Sequence, residues 1–598
     1  MQNWILTNTV NTGTANTAVM AFGAGTSNSL TLAGKVSGAG QLKVTSSDVG
    51  ELRVANMDND YTGGTEVGTG AIVISNAAAL GTGPVNFGTG TNSILKVTDT
   101  TTLANTMTIS GISGTSSSTT PYTAYINVSA NKTFTNSGGL SDRLSVGTTT
   151  NDQKYGGNLV KQGSGTAELS GVNGYSGSTT INDGTLALSG ATLSTPLVSL
   201  TGSSNAVLKL KATDVLSTSV NFTGDNSSAN TGTVDFNAAG SYTFNRYGDS
   251  AANPGLNIAF TNSSSEAVTA TFTNGTNYIT DPTGSGGGKA IYNRSTNLTL
   301  VFSGAMEIGS SANNDISLNG VGAFILNGPV TNNGTGTRGL TKAGAGTATL
   351  NAANSYNGAT TVSGGTLQVG ASGSLPAASA ITVSNGATLR FLKSSGSISL
   401  GALTASGNLE QNLITITNSG AVNLTGATIK VNGTPTLSSY TLVSGSSLSG
   451  TPTLSPAIPG YELSVDATSV KLVKSAVVGS TFDTTYPPGS ENTIGPNGLK
   501  NLMNYALGGT GSSSVTALPV LSSDVNGLTL TANIRNDDTG GLSVVGQYAY
   551  SLDGTWYDVT LSSVVGATST VPNTTVKSFT QAVDPNQPRK FLRLKVTK

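Results

Sequence analysis

One alternation of apolar and polar positions recurs three times along this chain. It is carried by "YTGGTEVGTGAIVI" from Tyr61, "YSGSTTINDGTLAL" from Tyr175 and "YNGATTVSGGTLQV" from Tyr356. Two residues after each Tyr stands Gly63, Gly177 or Gly358, and four after it Thr65, Thr179 or Thr360. Val67, Ile181 or Val362 follows two further on. This alternation predicts a short strand with one face inward. A second strand follows, with Ile72 and Ile74, Leu186 and Leu188, or Leu367 and Val369 inward. Between the strands lies Gly70, Gly184 or Gly365, where the chain must turn and a positive φ is expected. Strands this short cannot bury their own apolar face. Stacked as coils they can, each pairing with its equivalents above and below.

The second and third copies also match upstream. "LVKQGSGTAELSGVNGY" and "LTKAGAGTATLNAANSY" align Leu159, Lys161, Gly163, Gly165, Leu169 and Asn173 with Leu340, Lys342, Gly344, Gly346, Leu350 and Asn354. These residues resemble the autotransporter-associated β-strand repeat, also called the passenger-associated transport repeat. The resemblance covers about 30 residues in two copies and part of the first. It implies a right-handed parallel β-helix in a large secreted or surface-exposed bacterial protein. Autotransporters of the usual kind end in a membrane β-barrel, and the stretch "KFLRLKVTK" departs from that pattern.

Residues 90–155 and 200–335 lack the full motif but keep its alternation, as in "TLVFSGAMEIG" and "AFILNGPVTNNG", and read as degenerate coils. Residues 440–475 read as closing coils. The expected fold is therefore all-β, with a solenoid over 15–475 and a small β-sandwich over 476–598. In the second part "LKNLMNYALGG" has helical spacing, with Gly508 as its C-terminal cap. "SLDGTW" offers a hairpin turn. This module resembles the C-terminal domain that follows such repeats in secreted bacterial proteins. That family often has an acidic loop before its helix, whereas "ENTIGPNG" offers Glu491 alone.

Composition narrows the function. Of 598 residues 10% are charged, and the net charge is −1. A nucleic-acid binder needs a basic stripe, and an anionic membrane surface needs a polybasic segment. No apolar run reaches the length of a membrane span. We therefore expect neither nucleic acid nor membrane insertion. The chain has no Cys and no His. This removes disulfides, thiolate metal sites, and the commonest general base and metal ligand. "MQNWILTNTV" does not read as a signal peptide, so an extracellular or cell-surface protein whose signal has been removed is expected.

The β-helix also serves polysaccharide lyases and glycosidases, which need clustered or paired ionisable groups. Residues 343–389 contain no charge, and only Glu462 and Asp466 lie near one another between 301 and 470. No catalytic residue, cofactor or metal is assigned. Asp58 and Asp60, and Asp537 and Asp538, read as turn residues rather than calcium ligands. Lys161 and Lys342 read as solvated residues flanking a strand. Tyr61, Tyr175 and Tyr356 are expected to stack on one another between coils. The expected function is a structural protein of the bacterial exterior, assembling head-to-tail with itself into a filament, sheath or surface layer. An adhesin binding cell-surface glycans is the second reading, and a polysaccharide-degrading enzyme the third. The segment 1–14, with Trp4, Ile5 and Leu6, is the expected donor strand for assembly.

Overall fold

The computed structural model describes residues 3–13, 29–44, 50–88, 92–113, 121–143, 153–190, 192–202, 205–224, 231–248, 257–280, 289–309, 315–333, 336–474, 500–507, 519–524, 527–536, 542–552, 554–559, 574–582 and 590–597. The chain divides into two compact units. The first comprises Met1–Ile458 and Leu463–Val473, the second Pro459–Glu462 and Lys474–Lys598.

The first unit is a parallel β-helix. Its strands, mostly two to six residues long, stack in parallel sheets of 11, 15 and 10 strands, with smaller sheets continuing the same faces. Along many strands buried and half-exposed residues alternate, as in Thr347–Leu350 and Leu298–Phe302. In-register pairing places like on like. Leu30, Leu52, Ile72, Leu95 and Ile126 form one interior column. The pattern works because parallel stacking supplies every strand's backbone partners from neighbouring coils.

The coils without the Tyr motif are regular rather than degenerate. Motif coils are short, with Thr179 pairing with Val198 one coil on. Some coils without it are longer, with Ile258 pairing with Ile291, and others, such as Leu403 to Val422, are as short. The interior of the longer coils is filled by Phe222, Phe236, Phe244, Phe260, Phe272 and Phe302, all buried. Phe272 and Phe302 stack at 5.0 Å, and Phe222 meets Phe244 edge-on at 4.9 Å. Aromatic volume thus replaces the tight corner as the packing solution.

The last parallel pairing among the described residues is made by Thr453–Leu454. Ser469–Lys474 runs antiparallel to Ser439–Ser444 and terminates one face, within the stretch expected to hold closing coils.

The second unit is a small β-sandwich that, among the described residues, carries the short helix Asn501–Ala506. One sheet orders Val520–Asp524, Gly527–Arg535 and Thr574–Ala582. The other orders Tyr557–Asp558, Ser543–Ala549 and Phe591–Thr597. Gly546 lies against the Phe579 ring, where a Cβ would come within 2.6 Å. Leu507, Ala532 and Ile534 pack with Met503, Val544 and Leu594. Gly508, Glu491, Asp537, Asp538 and Asp553 of the hairpin turn lie outside the described residues.

Candidate functional site

Each copy of the motif builds the same clasp. Tyr61, Tyr175 and Tyr356 are fully buried. Each hydroxyl bonds the Thr Oγ1 four residues later, at 2.6 Å in all three copies. Burial pushes each phenol well above its ordinary pKa. The tyrosines therefore do not stack on one another, because each finds its partner within its own repeat.

Two residues before each Tyr stands a buried Asn, a regularity the alignment showed only for Asn173 and Asn354. Asn59 Oδ1 accepts from Val36 N at 2.7 Å, and its Nδ2 donates to the Ala79 carbonyl at 3.1 Å. Asn354 does the same between Val330 N, at 2.8 Å, and the Ser374 carbonyl, at 2.7 Å. One amide thus joins the coil before it to the coil after it. Asn173 Nδ2 bonds the Gly171 carbonyl instead, at 2.7 Å. The pattern "N-x-Y" in all three copies was the available signal.

The corner glycines behave as their position requires. Gly70, Gly184 and Gly365 have φ of 111°, 65° and 61°. Gly63, Gly177 and Gly358 serve close approach. A Cβ there would lie 2.2–2.4 Å from backbone atoms of the preceding coil.

Lys161 and Lys342 are not solvated residues. Both are fully buried, as the second inward residue of the pattern Leu-x-Lys. Lys161 stands in register between Ile126 and Ile181, inside the aliphatic column. Its Nζ donates to the carbonyls of Gln162, Gly163 and Asp183 at 2.8, 2.6 and 3.1 Å. Lys342 stands between Leu318 and Val362. It donates to Ala343, Gly344 and Gly364 at 2.7, 2.8 and 3.2 Å. An ammonium has three N–H donors, and each finds a corner carbonyl. Two belong to its own coil and one to the next. Burial still depresses both groups, to about 8. The inward parity with Leu159 and Leu340 was visible in the sequence. The snorkelling reach to the corner was not.

Most of the ion-paired carboxylates form ladders between coils. Glu410 lies between Arg390, at 2.8 Å, and Lys430, at 3.2 Å, on neighbouring strands. Burial would raise its pKa, but Asn432, Arg390 and Lys430 hold it below the ordinary value. Glu51 pairs with Arg53 and Lys96, and Glu168 with Lys211. Asp466 accepts from the Ser469 hydroxyl and from the backbone of Thr468 and Ser469, and is held well below the carboxylate range. Glu462 is exposed. Asp60 pairs with Lys35 at 2.6 Å, and the Asp58 N–H donates to Asn56 in a turn. Among the described residues no three His, Cys, Asp or Glu gather as a metal-holding group. No helix among them is long and apolar enough to cross a membrane.

Among the described residues a sheet edge of the solenoid carries exposed apolar side chains. Asn3–Leu6 runs parallel to Ser29–Leu32 and ends the 11-stranded sheet. Trp4 and Leu6 stand in register with Leu30 and Leu32, at the head of interior columns. Trp4 is 61% exposed and Ile5 67%.

The comparisons agree with the geometry. The passenger-associated-transport-repeat model matches residues 44–74, 159–188 and 340–369, the three stretches that carry the Tyr motif. No curated protein and no solved structure matches the chain. This repeat implies a secreted or cell-surface bacterial protein. The chain carries three passenger-associated transport repeats in a parallel β-helix.

Proposed function

We propose that this protein is a structural element of the bacterial exterior, whose solenoids join head-to-tail into a filament, sheath or surface layer. The observation that carries the proposal is the exposed edge strand Asn3–Leu6. Asn3–Leu6 is an edge strand with two large exposed apolar side chains and no charge. Such edges pair with other strands unless blocked. A matching edge exists in the second unit. Val520–Asp524 is the outer strand of its sheet, with Val520 64% and Leu521 56% exposed. Strand addition of Asn3–Leu6 from one copy onto Val520–Asp524 of the next is a heterologous contact, and it does not close on itself. Net charge near zero offers little repulsion against it.

The carboxylate ladders favour a structural role over an enzymatic one. Their acids hold coils together instead of facing each other across a groove. We therefore assign no catalytic residue.

The test mixes two variants. Ile5→Lys blocks the donor edge, and Leu521→Lys blocks the acceptor. Each alone should remain monomeric in sedimentation velocity, and a mixture should stop at dimers, because only one productive pair of ends remains. Fibres from either variant alone would exclude this contact. An unaltered protein that stays monomeric at high concentration would exclude assembly.

A further inference from the structure

Within the 10-stranded sheet of the solenoid, Gly240–Phe244, Val268–Phe272, Leu298–Phe302, Ala323–Leu326 and Thr347–Leu350 stack in register without a bulge. Alternate residues of these strands turn outward. One outward column runs Ser241, Thr269, Thr299, Ala323 and Thr347. The second runs Thr243, Thr271, Val301, Ile325 and Thr349. Every side chain of this block is small or β-branched, and none is charged or aromatic.

Further along the same sheet the second column changes character, to Gln368, Arg390, Glu410 and Lys430. There Arg390 and Lys430 hold Glu410. The outward face of this sheet thus accommodates charge, and the uncharged block is a local feature of it. The block is also stiff. Thr, Val and Ile have restricted χ1 rotation. Behind them lie the buried rings of Phe244, Phe272 and Phe302, the last two stacked at 5.0 Å. Neighbours in a column stand about 4.8 Å apart, and the two columns about 6.6 Å apart. Thr349 Oγ1 accepts from Gln368 Nε2 at 3.3 Å. The other threonine hydroxyls of the block make no hydrogen bond among the described residues. Methyl groups and hydroxyls therefore face outward at fixed repeats in two directions.

We propose that this block binds ice. Its methyls and hydroxyls hold first-shell water at those repeats, and the ordered layer joins the face of a growing crystal. Area and charge decide against other occupants. The block covers roughly 300 Å², well below the roughly 800 Å² that each partner buries in a stable protein interface. A glycan site needs a concave, aromatic-lined surface with a few placed polar groups, and a flat sheet face without rings does not supply one. Ice requires neither pocket nor charge. It requires a flat, stiff surface whose weak contacts recur in two directions, with little side-chain freedom to lose. The proposal goes beyond the structural role and uses other strands than the assembly contact.

The test is thermal hysteresis of the full-length protein, read on single ice crystals in a nanolitre osmometer. The unaltered protein should facet the crystal and halt its growth below the melting point. Thr271→Lys should abolish both effects. Thr271→Val, which extends the methyl pattern of Val301, should retain them. Thr404→Lys, on the 15-stranded sheet, should change nothing. Ile5→Lys, which blocks assembly, should keep full hysteresis, so failure of this proposal is distinct from failure of the assembly contact. Rounded, unhindered crystals with the unaltered protein would overturn the proposal, and that result needs no variant to fold. Undiminished hysteresis in Thr271→Lys, or its loss in Thr404→Lys, would overturn the assignment to this block. Unhindered ice growth together with lateral pairing, or with retention on crystalline cellulose, that Thr271→Lys removes would give the block to a second copy or to a glycan instead.

Discussion

The phenol of Tyr175 and the hydroxyl of Thr179 satisfy one another where no water reaches them, and the same pair recurs at Tyr61 and Tyr356. A buried hydroxyl that loses its partner bears its full desolvation cost, whereas removing both partners together is nearly neutral. Tyr175→Phe should therefore lower stability by about 1–2 kcal/mol. The double variant Tyr175→Phe/Thr179→Val should recover most of that loss. Hydrogen exchange of the amides in Thr179–Ile181 and Thr185–Leu188 measures it locally, which suits a solenoid whose coils open in part. Additive losses in the double variant would show that the pair is not the unit. The same reasoning explains the lysines. In a column of aliphatic side chains Lys161 is an anomaly in the strand, yet it completes the corner, because corner carbonyls need donors that the strand ladder does not bring.

At the scale of the element, the corner decides what the repeat tolerates. Gly184 has a φ of 65°, and a Cβ there would meet the carbonyls of Gly163 and Gly165 at 2.4 Å. Gly386 has a φ of 78° but open space around its Cβ position. Both alanine variants carry the left-handed strain of about 1–2 kcal/mol. Only Gly184→Ala adds a clash with backbone that cannot move aside. Its thermal midpoint should fall clearly further than that of Gly386→Ala, and equal midpoints would mean that stacking at this corner is loose. The three copies also show how one element serves different places. The two strands of the first copy lie in the 5- and 11-stranded sheets, those of the second in the 11- and 15-stranded sheets, and those of the third in the 15- and 10-stranded sheets. Each copy's first strand thus joins the sheet that held the second strand of the copy before it. The motif specifies a corner, and it fits whichever corner of the solenoid it reaches.

The whole molecule should carry an alkaline signature. Unfolded lysine titrates near ~10.4, while Lys161 and Lys342 titrate at about 8 in the fold. Between those values the unfolded chain binds more protons, so stability rises with pH. The buried tyrosines are shifted the opposite way, above an unfolded value of ~10. Their contribution is complete below that value and is lost as pH rises beyond it. The thermal midpoint should climb from pH 7.5, reach a maximum near ~9–10 and then fall. Lys161→Met/Lys342→Met should abolish the climb and leave the fall. A flat profile in the unaltered protein would mean that the corner carbonyls offset burial completely.

Spacing alone determined that this chain coils. The offsets from Tyr to Gly, Thr and the aliphatic pairs are local and survive without knowledge of any neighbour, so strands and corners were legible residue by residue. The helix at 501–506 and the strands of the second unit were legible for the same reason. What a side chain meets in the adjacent coil was not, because that partner lies about one coil away and the coil length varies. Tyr175 was expected to find another ring in the adjacent coil and instead found Thr179 four residues on in its own repeat. Lys342 was expected in water and is buried among carbonyls. Arg593 read only as part of a terminal strand, and the register of three strands made it a fixed cation over Trp556. Parity along a strand decides which residues turn inward, but only the stacking of coils decides what they find there.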